Sequence, residues 1–206
     1  MSEKYNEPRV FSPTPREVDP QAMHAACVPE DYQDVRLSDF EGHTIHVILQ
    51  RFVRRLPKLV STGAGLYMHG DFGHGKTRAA CVLLRAACAY QVTRMFVTAA
   101  EIVSWTYSKR PEPGLVRARS ANMLVLDDVG REYSTDYGKT IVENFIRARV
   151  ASRKSTVITS NLSLNDAVKV YGAGTVSIIK SRLIPVHVQT KDWREAQADK
   201  LLEEIS

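Results

Sequence analysis

The sequence predicts an α/β protein, a three-layer core with a five-stranded parallel sheet between two layers of helices. Five short segments are apolar throughout rather than alternating, the pattern of strands covered on both faces. Helical patterns separate them, which makes neighbouring strands parallel and joins them by right-handed crossovers. The first strand runs through a glycine-rich turn, Gly70-Asp71-Phe72-Gly73-His74-Gly75-Lys76-Thr77, into a long helix.

Residues 1–27 hold four of the nine prolines (Pro8, Pro13, Pro15, Pro20) and no apolar periodicity, so they read as a flexible extended arm. From Ser38 to Val60 apolar residues recur every three or four positions, one face of an amphipathic helix whose other face carries Arg51, Arg54 and Arg55. Strands are expected at 65–70, 94–99, 123–128, 155–160 and 184–190. Helices are expected at 76–90, 99–108, 136–151, 163–171 and 174–183, with a C-terminal helix over roughly 192–205. The domain boundaries are 28–194 for the globular unit and 195–206 for the tail. No internal repeat or low-complexity run interrupts this order.

With 206 residues, 44% hydrophobic and 25% charged, the composition excludes a disordered chain, a collagen-like one and a disulfide scaffold. Three cysteines, Cys27, Cys81 and Cys88, form an odd set without metal-ligand spacing, which points to a reducing compartment. Cys81 and Cys88, seven apart on one helix, are expected to be packing residues. No apolar run is long enough to span a bilayer and no signal core is present, so the expected location is cytoplasmic. The formal charge is +5. The surplus is clustered at Arg51-Arg54-Arg55-Lys58, at Lys109, Arg110, Arg117 and Arg119 around a Pro-rich turn, and at Arg147-Arg149-Arg153-Lys154. Single clusters of this kind are ordinary solvated helix ends; three together point modestly to an anionic partner.

The glycine turn fits G-x-x-x-x-G-K-[ST]. Its glycines let successive amides curl inward on phosphate oxygens, the following helix adds the positive end of its dipole, Lys76 brings a point charge and Thr77 offers a hydroxyl to Mg²⁺. Gly70, Gly73, His74, Gly75, Lys76, Thr77 and Arg78 form the expected nucleotide-binding segment, with His74 a spacer that carries no catalytic role. Met123-Leu124-Val125-Leu126-Asp127-Asp128 is a buried strand that delivers two carboxylates at its C-terminal end. Asp127 suits the metal side, and Asp128 suits the orientation or deprotonation of an attacking water. Its bland alternative is a helix cap. Thr156 to Asn161 forms a third strand ending in an amide that could bond both a terminal phosphate and that water.

Those three elements in this order resemble the AAA+ ATPases, and more closely the DnaC-like helicase-loader group, related to IstB-type transposition helpers. Val28-Pro29-Glu30-Asp31-Tyr32 with Leu37-Ser38-Asp39-Phe40 looks like that group's lead-in to the ATPase core. GDFGHGKT matches its Walker A, LVLDDVG its Walker B and TVITSNLSL its sensor-1 strand. Ile179-Lys180-Ser181-Arg182-Leu183 resembles the arginine-finger segment, and Asp192-Trp193-Arg194 the terminal D-x-R. The resemblance spans roughly 28–194. It implies ATP and Mg²⁺ as cofactors, held by Lys76, Thr77 and Asp127, with Asp128 where many relatives have Glu and Asn161 at sensor 1. It also implies that Arg182 reaches a neighbouring subunit's site, so that hydrolysis depends on self-association, with Arg149 as a second interface arginine. Two departures from the pattern are expected: no zinc module in the 27 residues before the core, which hold a single cysteine, and no helical lid domain after Arg194.

The function expected from this is an ATPase that delivers a replicative helicase to single-stranded DNA, with Lys109, Arg110, Arg117 and Arg119 on the DNA and Trp105 and Tyr107 as stacking candidates, Trp105 being the one that suits the core. The alternatives are an IstB-like helper acting on duplex DNA and a nucleotide-gated binding module with little turnover. A small-metabolite kinase would need acceptor-binding residues, whereas Asp127-Asp128 and Thr159-Ser160-Asn161 favour a water nucleophile.

Overall fold

The computed structural model describes residues 17–108, 112–131, 136–190 and 193. Its centre is a five-stranded sheet of β1 (Gly65–His69), β2 (Arg94–Thr98), β3 (Met123–Val129), β4 (Ser155–Ser160) and β5 (Leu183–His187). The strands lie in the order β2-β3-β4-β1-β5, all parallel. Consecutive residues of one strand feed opposite cores: Met123 and Val125 face one layer, Leu124 and Leu126 the other. This is why the strands are apolar throughout. The first layer holds α1 (Pro20–Ala25), α2 (Thr44–Arg54), α3 (Leu56–Thr62) and α4 (Lys76–Ala89). The second holds α5 (Ala99–Tyr107), α6 (Pro113–Ser120), α7 (Asp136–Ala151) and α8 (Leu164–Arg182). Cys81 and Cys88 are buried in the first layer, as packing residues.

Four sequence expectations change. The helix expected over 38–60 is divided: Leu37–Phe40 is a 3₁₀ turn, α2 ends at Arg54, and α3 begins with Pro57 in its first turn. A proline ring displaces the carbonyl four residues earlier and supplies no N–H, so one helix cannot run through it. The Pro-rich turn is partly helix: Pro113 begins α6, because a proline at the first helical position loses no hydrogen bond. Within the stretch read as an extended arm, residues 20–25 form α1, and Met23 and Ala26 are buried against α4. The carbonyl of Ala26 accepts the Phe96 N–H at 2.7 Å, which covers the outer edge of β2. Arg149, expected at a subunit interface, is 1% exposed. Its guanidinium donates to the carbonyls of Ala118 (2.7 Å), Ala121 (3.0 Å) and Ser155 (2.6 Å) and to Thr156 Oγ1 (3.0 Å), closing the C-terminal end of α6 onto the start of β4. The division expected near residues 172–173 is present: Gly172 has φ 79° and ψ 157°, a break inside α8.

Candidate functional site: a phosphate loop at the C-terminal edge of the sheet

Parallel strands present all their C-terminal ends on one edge, and the loops there build the site. β1 delivers Gly70, at φ 145°, where a Cβ would lie 2.4 Å from the Val188 carbonyl oxygen. Gly75 caps α4 in the left-handed region (φ 75°), and a Cβ there would meet the Trp193 indole at 2.7 Å. Only glycine fits either position. Lys76 is 7% exposed, and its Nζ donates to the carbonyls of Gly70 (2.9 Å) and Asp71 (2.7 Å), inside the curl of the loop. The Phe72 ring, 6.0 Å away, overlies it.

From β3, Asp127 enters the same place. Thr77 Oγ1 donates to its Oδ1 at 3.0 Å and Thr159 Oγ1 donates to the same oxygen. Burial pushes the Asp127 carboxyl up to about 6; the Thr159 hydrogen bond opposes this, the Asp128 charge adds to it, and Thr77 and Lys76 oppose it. Thr77 and Asp127 therefore bring hard oxygen atoms together, one of them on a carboxylate whose charge a divalent cation would stabilise, and this donor set fits Mg²⁺.

Asp128 is a non-glycine residue at φ 56°, placed at an irregularity in the pairing of β3 with β4 between Leu126 and Val129. Its N–H donates to Thr159 Oγ1 at 3.0 Å, so a single hydroxyl joins both carboxylate residues. The left-handed conformation turns the Asp128 side chain out of the sheet, where it is half-exposed and 3.7 Å from Arg131. Strain of this kind costs roughly 1–3 kcal/mol and persists where a site requires a particular direction. Asn161, directly after β4, lines the same cleft as Lys76, Thr77 and Asp128. Its Oδ1 is buried without a hydrogen-bond partner. Such an oxygen costs about 1–3 kcal/mol unless a ligand or water satisfies it.

The structure thus brings Gly70, Gly73, Gly75, Lys76, Thr77, Arg78, Asp127, Asp128 and Asn161 to one edge. Arg182 lies at the other edge, where its Nη1 donates to the Thr62 carbonyl at 3.2 Å. Leu183 pairs with Gly65 and His187 with His69, so the length of β5 separates Arg182 from the phosphate loop of its own chain. Of the expected DNA residues, Lys109 and Arg110 lie outside the described residues. Arg119 is exposed; Arg117, also exposed, donates to the Ala25 carbonyl and tethers α6 to α1. Trp105 packs on Gly114, whereas Tyr107 and Tyr137 are exposed at 56% and 57% with ring centroids 5.2 Å apart.

Several contacts at the site escaped the sequence reading. Thr159 sits beside the sensor strand's Asn161, and its bonds to both carboxylate residues depend on the register of β3 against β4. Tyr32 and Trp193 border the cleft, and no periodicity or spacing marks either one as doing so. His74, read as a spacer, is bonded to Thr190: its Nδ1 donates to the Thr190 carbonyl at 2.6 Å and its own carbonyl accepts the Thr190 hydroxyl at 2.9 Å.

Among the described residues no helix is long and apolar enough to cross a membrane. A search of curated proteins returned no significant match. Among solved structures, the chain resembles the DnaC helicase loader with a TM-score of 0.70 and 22% identity, over 78% of this chain and 100% of that one. It resembles DnaI with a TM-score of 0.67 and 22% identity, over 80% of this chain and 93% of that one. AMPPCP-bound DnaA from Aquifex aeolicus aligns with a TM-score of 0.61 and 15% identity, over 83% of this chain and 55% of that one. At these identities the likeness establishes the fold, which is that of the AAA+ domains. The model of the IstB-like ATP binding protein family matches residues 16–189. With its phosphate loop, its Asp127-Asp128 strand end and this match along most of its length, the chain belongs to the IstB-like ATP-binding family and carries a DnaC-like AAA+ fold.

Proposed function

We propose that this protein is an ATPase of DNA replication that loads a replicative helicase onto single-stranded DNA, as the DnaC fold suggests. The observation that carries the ATPase reading is the convergence of Lys76, Thr77, Asp127, Asp128 and the partnerless Asn161 Oδ1 on one cleft. In this reading Lys76 and the loop amides bind the phosphates of ATP, and Thr77 and Asp127 hold Mg²⁺. The ion supplies charge neutralisation between the phosphates. Asp128 orients a water and accepts its proton, while Asn161 holds that water through Oδ1 and a terminal phosphate through Nδ2.

Arg182 acts on a neighbouring subunit's nucleotide, because the length of β5 keeps it from its own; assembly then controls turnover. Such an arginine contributes ~10³–10⁵ in rate. Mixing Arg182→Ala with Lys76→Ala should restore hydrolysis that neither shows alone, and no recovery at any ratio would remove Arg182 from the reaction. Lys109, Arg110, Arg117 and Arg119, with the exposed Tyr107–Tyr137 pair, form the DNA-facing surface, cations for phosphates and rings for bases.

Co-elution with the replicative helicase, with and without ATP, tests the reading: a nucleotide-sensitive complex is expected. The family match favours a second reading, an IstB-like ATPase acting on duplex DNA. ATP-dependent assembly on duplex DNA with no helicase complex would select it.

A further inference from the structure

After β5, Val188, Thr190 and Trp193 are hydrogen-bonded to the phosphate loop and the strand end that leads into it. The Val188 N–H donates to the His69 carbonyl at 2.7 Å, just before the loop begins. Thr190 and His74 exchange the two bonds described above. The Trp193 N–H donates to the Gly73 carbonyl at 3.0 Å, and its Nε1–H donates to Thr190 Oγ1 at 2.9 Å. The indole then lies against Gly75, under the Arg78 guanidinium at 4.7 Å, with the Phe40 ring at 5.7 Å and His43 at 6.4 Å. Arg78 in turn pairs with Asp39 at 3.6 Å. Gly73, His74 and Gly75 are thus held at successive positions by Thr190 and Trp193, the strap of the loop.

We infer that Thr190 and Trp193 are positioning residues that hold the phosphate loop in its nucleotide-binding shape. This rests on the ATP reading of the site and deepens it. Gly73 and Gly75 both have positive φ, 79° and 75°, in a region glycine enters and leaves freely. Unfastened, the loop samples shapes whose amides do not converge, and only the competent fraction binds, so affinity falls by that fraction. The chemistry on bound ATP, set by Asp128 and Asn161 on other strands, is left unchanged. The strap therefore governs KM and Kd and leaves kcat alone. It also makes the Trp193 indole a reporter of loop occupancy.

Thr190→Val removes the hydroxyl that donates to His74 and accepts from Trp193. Two lost hydrogen bonds correspond to about a five- to twentyfold weakening of ATP and ADP binding. The expected result is that rise in Kd and KM with kcat within about twofold of wild type, and recovery in Thr190→Ser. Trp193→Phe, which keeps the ring and loses the Nε1–H, should weaken binding about two- to tenfold. In a Trp105→Phe background Trp193 is the sole tryptophan, and its emission should shift as ADP saturates the site. Wild-type Kd in Thr190→Val, or a fall in kcat at unchanged Kd, would overturn the inference. Should Thr190→Val not fold, a Trp193 emission unmoved by saturating ADP would overturn it. Failure of the wild type to bind any nucleotide would instead sink the ATP reading and the inference with it.

Discussion

The two edges of the sheet each bury a cation, and they use it in opposite ways. At the N-terminal edge Arg149 reaches four carbonyls and a hydroxyl, all fixed by the end of α6 and the start of β4. At the C-terminal edge Lys76 rests on two loop carbonyls beside a carboxyl pushed up to about 6, an aspartate at positive φ and an amide oxygen with no partner. Burial of charge is therefore no sign of function by itself. The arginine is satisfied by the fold and stabilises it, whereas the lysine shares its cleft with an oxygen that the fold leaves unsatisfied.

If that contrast holds, substitutions at the two edges separate into losses of chemistry and losses of fold. The largest effect is expected from Asp128→Asn, which should lower kcat by ~10²–10⁴ while ATP binding persists; undiminished turnover in this variant would end its assignment. Arg149→Met should cost about 3–5 kcal/mol, because its acceptors stay buried without a donor. Denaturant titration measures this, and the folded fraction should bind ATP normally. A destabilisation below about 1 kcal/mol would erase the distinction between the edges. Lys76→Met should weaken ATP binding by about 100-fold, as expected for a charge-assisted phosphate contact, with little change in melting temperature. A large loss of stability there would mean that Lys76 is structural too.

The smallest effect concerns His69, at the end of β1, whose pKa is lowered first by burial and then by the charges of His187 and Lys76. The unfolded chain therefore binds this proton more readily, so its contribution is complete above about pH 6.5 and is lost as pH falls through that value towards the lowered one. Asp127 acts in the opposite sense, since its raised pKa relieves the folded state as pH falls through about 6. The difference in melting temperature between wild type and His69→Gln, followed from pH 7.5 to 5.5, isolates the histidine. A constant difference would show that its protonation does not matter to stability.

The sequence by itself determined what depends on neighbours along the chain. Continuous apolar strands gave the parallel sheet and its two cores, and the spacing from Gly70 to Thr77 gave the phosphate loop between β1 and α4. Asp127, Asp128 and Asn161 were legible because parallel strands end on a common edge. Helix boundaries were less legible at prolines, since the same residue interrupts a helix at Pro57 and begins one at Pro113. The tertiary structure alone decided which distant residues meet. The register of β3 on β4 gives Thr159 to both aspartates, the pairing of β5 with β1 brings Thr190 and Trp193 over the loop, and the closing of α6 onto β4 buries Arg149. Local sequence sets torsion angles and periodicity; contacts between residues tens of positions apart follow from how whole strands and helices pack, and no short motif carries that.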